Sequence, residues 1–211
     1  MADTTTKGIC SYCNKVFTRA GMWKHLETCK ERKSILEKKK GGKCFHILVE
    51  GYRLYWLHIE IPVSSKLKDL DIYLRYIWLE CCDHLSSFRI GKEVYVSYPE
   101  DYMGYKDMEL KLMDLLRPGM EFSYKYDFGL STDLKLRVLS EYFGETEGKW
   151  VKLLARNQDP ELICSQCNKR ISVEICPACG PLCGDCAETH ECMFRLPLVN
   201  SPRTGICCYD G

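Results

Sequence analysis

No stretch of the 211-residue sequence stays apolar for the roughly 20 residues that a bilayer-spanning helix requires, and the opening Met1-Ala2-Asp3-Thr4-Thr5-Thr6-Lys7 lacks the apolar segment of a secretory leader. The chain therefore reads as soluble, unsecreted and cytoplasmic, with no membrane partner. Internal repeats are missing, apart from recurring cysteine knuckles, and so is any catalytic motif. The expectation is a non-enzymatic protein with no small-molecule substrate. Net charge is small too, at +1, and with 45% hydrophobic and 28% charged residues the chain can bury one moderate core plus small satellites.

What abounds is cysteine. Fifteen cysteines in an unsecreted chain need metal, chemistry or burial to explain them, because the cytosol keeps ordinary thiols reduced. Ten of the fifteen fall into two clusters near the chain ends, while Cys44, Cys81, Cys82, Cys207 and Cys208 stand apart. Charge is also unevenly placed. Residues 1–43 carry eleven Lys or Arg against four Asp or Glu, a balance of +7, whereas residues 160–211 carry four against six, a balance of −2, and the stretch between them stands at −4.

Lys38-Lys39-Lys40-Gly41-Gly42-Lys43 reads as a linker closing an N-terminal piece, residues 1–43. From Cys44 the pattern alternates, predicting a β-hairpin through Phe45–Val49 and Leu54–Ile61. A helix is predicted with apolar residues at Leu67, Leu70, Leu74, Ile77 and Trp78, covering the sheet. A short hairpin turns at Gly91-Lys92, a brief helix runs from Glu109 to Leu116, and strands follow at 122–128, 134–143 and 150–155. Residues 44–156 thus predict an α+β domain with a mostly antiparallel sheet covered by one main helix. Trp56, Trp78, Tyr95, Phe122 and Phe128 are its core candidates. Asn157-Gln158-Asp159-Pro160 opens a C-terminal module, residues 157–211.

In the N-terminal piece, Cys10, Cys13, His25 and Cys29 give C-x2-C-x11-H-x3-C. His25 and Cys29, four apart on a predicted helix, share a face and can close on a zinc ion held by the first knuckle, with Phe17 and Met22 packing beneath. The pattern resembles the C-x2-C-x12-H-x3-H zinc-finger family, with one residue fewer in the loop and cysteine in place of the last histidine. The predicted helix runs on through Lys30-Glu31-Arg32-Lys33 to Lys38-Lys39-Lys40. Lys24, Lys30, Arg32, Lys33, Lys38, Lys39 and Lys40 are the candidates for gripping phosphate.

At the other end, Cys164-x2-Cys167, Cys176-x2-Cys179, Cys183-x2-Cys186 and His190-x-Cys192 supply eight ligands, the count for two closed tetrahedral zinc sites. Gly180 and Gly184 follow cysteines where a knuckle turn favours glycine. The order resembles cross-brace modules of the B-box kind. That resemblance implies Cys164, Cys167, Cys183 and Cys186 on one ion and Cys176, Cys179, His190 and Cys192 on the other, with sequential pairing as the alternative. With three structural Zn2+ ions bound, the N-terminal arm stays near +6 and the C-terminal module falls to about −5.

Trp78-Leu79-Glu80-Cys81-Cys82-Asp83-His84-Leu85-Ser86-Ser87-Phe88, followed by Tyr126-Asp127-Phe128-Gly129, resembles the root-inducing-plasmid ORF-three-like family over about residues 44–156. The family is found in bacteria and archaea, often with mobile elements, so the resemblance implies a fold more than a function. Where many members continue with an acidic residue, a tryptophan and a histidine, this chain has Leu130-Ser131-Thr132-Asp133-Leu134, so no chemistry transfers with those positions. Asp83-His84 and Tyr126-Asp127 can form a polar pocket for acid–base work, or simply cap a helix and hold a turn. Cys81 and Cys82 are read as a helix end with one side buried, with no basic partner adjoining them.

Two functions follow. One is a binder of nucleic acid, RNA included, or of a ribonucleoprotein such as the ribosome, acting through the basic finger. The alternative is a protein–protein adaptor acting through the acidic C-terminal module.

Overall fold

The computed structural model of the protein describes residues 6–38, 41–52, 54–101, 104–145 and 150–211. Ten strands form one sheet: β1 (Lys7–Cys10), β2 (Val16–Thr18), β3 (Lys43–Gly51), β4 (Tyr55–Pro62), β5 (Ser86–Ile90), β6 (Glu93–Val96), β7 (Lys106–Asp107), β8 (Glu121–Tyr126), β9 (Thr132–Phe143) and β10 (Lys152–Asn157). Their spatial order is β2-β1-β10-β4-β3-β9-β8-β5-β6-β7, antiparallel throughout except for β6 with β7. Four helices accompany them: α1 (Arg19–Thr28), α2 (Lys30–Lys38), α3 (Leu67–Leu74) and the short α4 (Leu112–Leu115). The fold is α+β with a mostly antiparallel sheet, as the alternating pattern predicts.

The centre of the sheet explains the sequence. β4 is buried along its whole length, so both its faces are covered. Side chains alternate between faces with period two. Tyr55, Leu57, Ile59 and Ile61 join Phe45, Ile47 and Val49 of β3 in the main core, where α3 and the π-helical turn Arg75–Leu79 contribute Leu67, Leu70, Leu74 and Trp78. The Asp69 carboxylate accepts a bond from the Lys66 N–H at 2.7 Å, satisfying one free donor at the start of α3. The even-numbered residues of β4 face the other way, and the N-terminal segment covers Trp56, which packs with Cys10, Met22 and Leu26.

That second layer comes from strand pairing across the expected linker. β1 pairs with β10 from Gly8↔Asn157 to Cys10↔Ala155, so the N-terminal piece forms one edge of the central sheet. Gly8 is required there: a Cβ would run into the Trp56 ring and the Arg156 carbonyl. Between the layers, His46 and His58 meet ring to ring, with Nε2 2.8 Å from Nδ1, both buried. Burial holds His46 far below the ordinary imidazole value and pushes His58 down to about 3, with the nearby Arg32 cation adding to both. Phe128, expected in the core, is 40% exposed, because β8 ends at Tyr126 and Phe128 falls in the turn beyond it.

The C-terminal module has its own sheet, ordered β12-β11-β13 with β11 (Glu174–Cys176), β12 (Gly180–Leu182) and β13 (Leu196–Pro197), and a short helix α5 (Gly184–Glu188). Residues 198–211 then return to the central domain. Ser201 donates its hydroxyl to the Trp78 carbonyl at 2.6 Å, and the side chains of Asn157 and Asn200 bond at 2.7 Å. Among the described residues, no helix is long and apolar enough to cross a membrane.

Candidate metal centres

Four groups of cysteine and histidine among the described residues can hold metal ions, each with its ligand atoms within 4.8 Å of one another. The first is Cys10, Cys13, His25 and Cys29. Cys10 ends β1, Cys13 lies in the turn that follows, and His25 sits in the last turn of α1, its ring stacked on Phe17 with centroids 4.0 Å apart. The sequence predicts one helix through Cys29 to Lys38, but the helix breaks at Cys29, whose backbone is extended (φ −60°, ψ 118°). Cys29 is thus the hinge between α1 and α2. Asn14, which follows the knuckle, has a positive φ of 57°.

The C-terminal module holds two groups, Cys164, Cys167, Cys183 and Cys186, and Cys176, Cys179, His190 and Cys192. The first knuckle meets the third and the second meets the last pair, the interleaved arrangement rather than the sequential one. The Sγ atoms of Cys167 and Cys183 are 3.8 Å apart, as are those of Cys179 and Cys192. A tetrahedron with zinc–sulfur bonds of about 2.3 Å has edges of about 3.8 Å. The Cys164 thiol is pulled down to about 6, first by the N–H groups of Cys167 and Cys183, which point at its sulfur. Adjacent thiols cannot all ionise unless a cation offsets their repulsion. His190 Nε2 is buried without a hydrogen-bond partner, as suits a nitrogen aimed at a cation. The donor sets fit a soft, tetrahedral divalent metal.

The fourth group, Cys81, Cys82, His84 and Cys207, escapes a reading of the sequence by spacing. Cys81 does have a basic neighbour, since Arg203 Nε lies 3.3 Å from its Sγ, which corrects the reading of a thiol without one. Arg203 was out of view because it lies 122 residues further along the chain. The sequence signals are the Cys-Cys doublets at 81–82 and 207–208 and His84 just after the first.

The polar pocket is assembled differently from an acid–base pair. His84 Nε2 is 3.6 Å from Asp127 Oδ2, but that same oxygen accepts from Arg203 Nη2 at 2.8 Å. Asp127 Oδ1 accepts from the Gly129 N–H at 2.9 Å, holding the turn. Burial opposes the charged form of Asp127, yet the bonds from Arg203 and Gly129 outweigh it and keep the carboxyl below its ordinary value. Asp83 turns toward Tyr98, whose hydroxyl donates to it at 3.1 Å.

Of the phosphate-gripping candidates, Lys24, Lys30, Lys33 and Lys38 are exposed. Arg32 is not: it is only 6% exposed, donates to the Leu26 carbonyl at 2.7 Å and lies over the Tyr142 ring at 4.7 Å. The break at Cys29 leaves carbonyls at the end of α1 unpaired, and Arg32 satisfies one of them. It braces the finger and is removed from the phosphate-contact set. Lys39 and Lys40 lie outside the described residues. Glu27, Glu31 and Glu37 are exposed among these lysines.

No protein-family model matches the chain, and no curated protein matches it. Among solved structures, the crystal structure of a protein of unknown function, MM3350 from Methanosarcina mazei Go1, aligns with a TM-score of 0.46 and 17% identity, covering 54% of this chain and 68% of that one.

Proposed function

We propose that this is a zinc-stabilised, non-catalytic binding protein of the cytoplasm whose finger contacts nucleic acid or a ribonucleoprotein. We further propose that its central segment is an ORF-three-like domain of the kind associated with mobile elements. The observation that carries the binding reading is the exposed set Lys24, Lys30, Lys33 and Lys38 on α1 and α2, with Lys30 and Lys33 sharing one helical face and Trp23 37% exposed nearby. Structural zinc in the first and the two C-terminal groups fixes the shape that presents them. The non-catalytic part rests on Asp127, whose carboxylate is occupied by Arg203 and the turn and is not free to act as a base. The test is binding to mixed RNA and DNA across a salt series. With four phosphate contacts, affinity for duplex DNA falls roughly a hundredfold over a fourfold rise in salt, and replacing the four lysines by alanine flattens that dependence. Binding that ignores both salt and the lysines defeats this reading.

A second reading, a protein–protein adaptor, is favoured by one feature of the C-terminal module. Met193 is 99% exposed, and Phe194 and Val173 are each 56% exposed. An acidic module with bare apolar side chains suits a protein partner. Partner binding that survives the lysine changes but is lost in Met193→Ser with Phe194→Ser selects it.

A further inference from the structure

We infer that Cys81, Cys82, His84 and Cys207 form a fourth zinc site, one that staples the C-terminal tail to the central domain. The two halves of the site come from chain segments more than 120 residues apart, and their ligand atoms lie within 4.8 Å of one another. Two of its edges match those of a tetrahedral ion. Cys82 and Cys207 have sulfurs 3.8 Å apart, and Cys207 Sγ is 3.7 Å from His84 Nε2. Zinc bonds of about 2.3 Å to sulfur and 2.0–2.1 Å to nitrogen set these edges at about 3.8 and 3.6 Å. The sulfur–sulfur edge is the one found in both C-terminal groups.

The backbone adds a second, independent likeness. In three knuckles of the other groups the residue after the second cysteine has a positive φ: Asn14 at 57°, Asn168 at 54° and Gly180 at 91°. Asp83, directly after Cys82, has 53°. The ligand loop is also held in place before any ion arrives. Arg75 donates to the His84 carbonyl at 2.7 Å, and Glu80 accepts from the Asp83 N–H at 2.6 Å and from the Tyr126 hydroxyl at 2.9 Å. On the tail side, Arg203 is fully buried. It donates to Asp127 at 2.8 Å and to the Leu130 carbonyl at 3.1 Å, with its guanidinium 4.7 Å from the Tyr126 ring. Both segments of the site are thus anchored by hydrogen bonds to the central domain, as a preorganised site requires. Cys208, whose sulfur is 3.2 Å from that of Cys82 and 3.8 Å from that of Cys207, lies beside the group of four rather than in it.

The test is metal content of the purified, reduced full chain, paired with hydrogen exchange of residues 198–211. Four zinc ions per chain are expected, one for each group. Cys207→Ser and, separately, His84→Asn should each lose one ion and speed exchange in the tail while the other three groups keep theirs. Cys208→Ser should keep all four. Three ions in the wild type, unchanged by Cys207→Ser, overturn the fourth site and leave the other three standing. A Cys82–Cys208 disulfide found by mass spectrometry in the protein as isolated from the cell overturns it as well. Failure of the three-site reading looks different, since it would show as no metal lost on Cys10→Ser or Cys176→Ser. If Cys207→Ser does not fold, His84→Asn decides, because its polar side chain keeps the loop's backbone bonds.

Discussion

The two ends of the molecule both carry cysteine–histidine groups, but they are built into it in opposite ways. The N-terminal finger shares its backbone with the central sheet through β1 and β10, and its buried cluster includes Trp56, Leu154 and Ala155 from that sheet. The C-terminal module has a separate three-stranded sheet, and its buried cluster is Cys164, Cys176, Cys183, Leu182 and Ala187, mostly the candidate ligands themselves. A segment with so few apolar side chains cannot offset its own conformational entropy. The finger has a scaffold besides its candidate metal group, and the module has little else.

Metal removal tests this most strongly. Structural zinc contributes on the order of 10 kcal/mol or more to a small domain. A chelator under reducing conditions should therefore abolish exchange protection across residues 161–197, leave the β3, β4 and β9 amides protected, and only partly expose β1. Equal loss of protection at both ends would erase the contrast.

A smaller effect comes from Gly8→Ala. The added methyl meets both the Trp56 ring and the Arg156 carbonyl, and backbone cannot yield as a side-chain tip can. A cost of about 3 kcal/mol is expected, at the upper end for overpacking. It should appear in urea unfolding of the finger and sheet and leave the C-terminal module's metal content unchanged. A Gly8→Ala protein with wild-type stability would mean that β1 is not held as described.

The smallest effect is on pH. His46 and His58 are buried between the layers with folded-state values below the ordinary 6.5, that of His58 at about 3. The unfolded chain therefore binds more protons below 6.5. Stability from these groups is present above that pH and drains away as pH falls through 6.5 toward their lowered folded-state values. Between pH 6.5 and 5.5 this costs about 1 kcal/mol for His58. Measuring central-sheet exchange at pH 6.5 and 5.5 in wild type and His58→Leu separates this from ligand protonation in the module, because the substitution should reduce the slope only in the sheet.

Much of this was legible along the chain. The hairpin of β3 and β4, the helix at Leu67–Leu74 and the turn at Gly91 follow from local pattern, which a strand or helix displays within a few residues. The Cys-x2-Cys knuckles are equally local, while which knuckles meet followed only from the B-box resemblance, whose interleaved groups the structure shows. A charge run says nothing about which face a helix turns inward, so the burial of Arg32 is not legible in it. The break at Cys29 decided that. The sequence hides the basic neighbour of Cys81 because Arg203 arrives from the tail.

The sequence by itself determined the α+β architecture, the strand alternation and the ligand pairs, because each depends on residues a few positions apart. Only the tertiary structure decided that the finger is an edge of the sheet, that Arg32 and Arg203 are buried braces, and that Cys207 stands beside Cys82. Those contacts join segments up to about 125 residues apart, and chain closure over such distances leaves no periodic trace in the residues that make it.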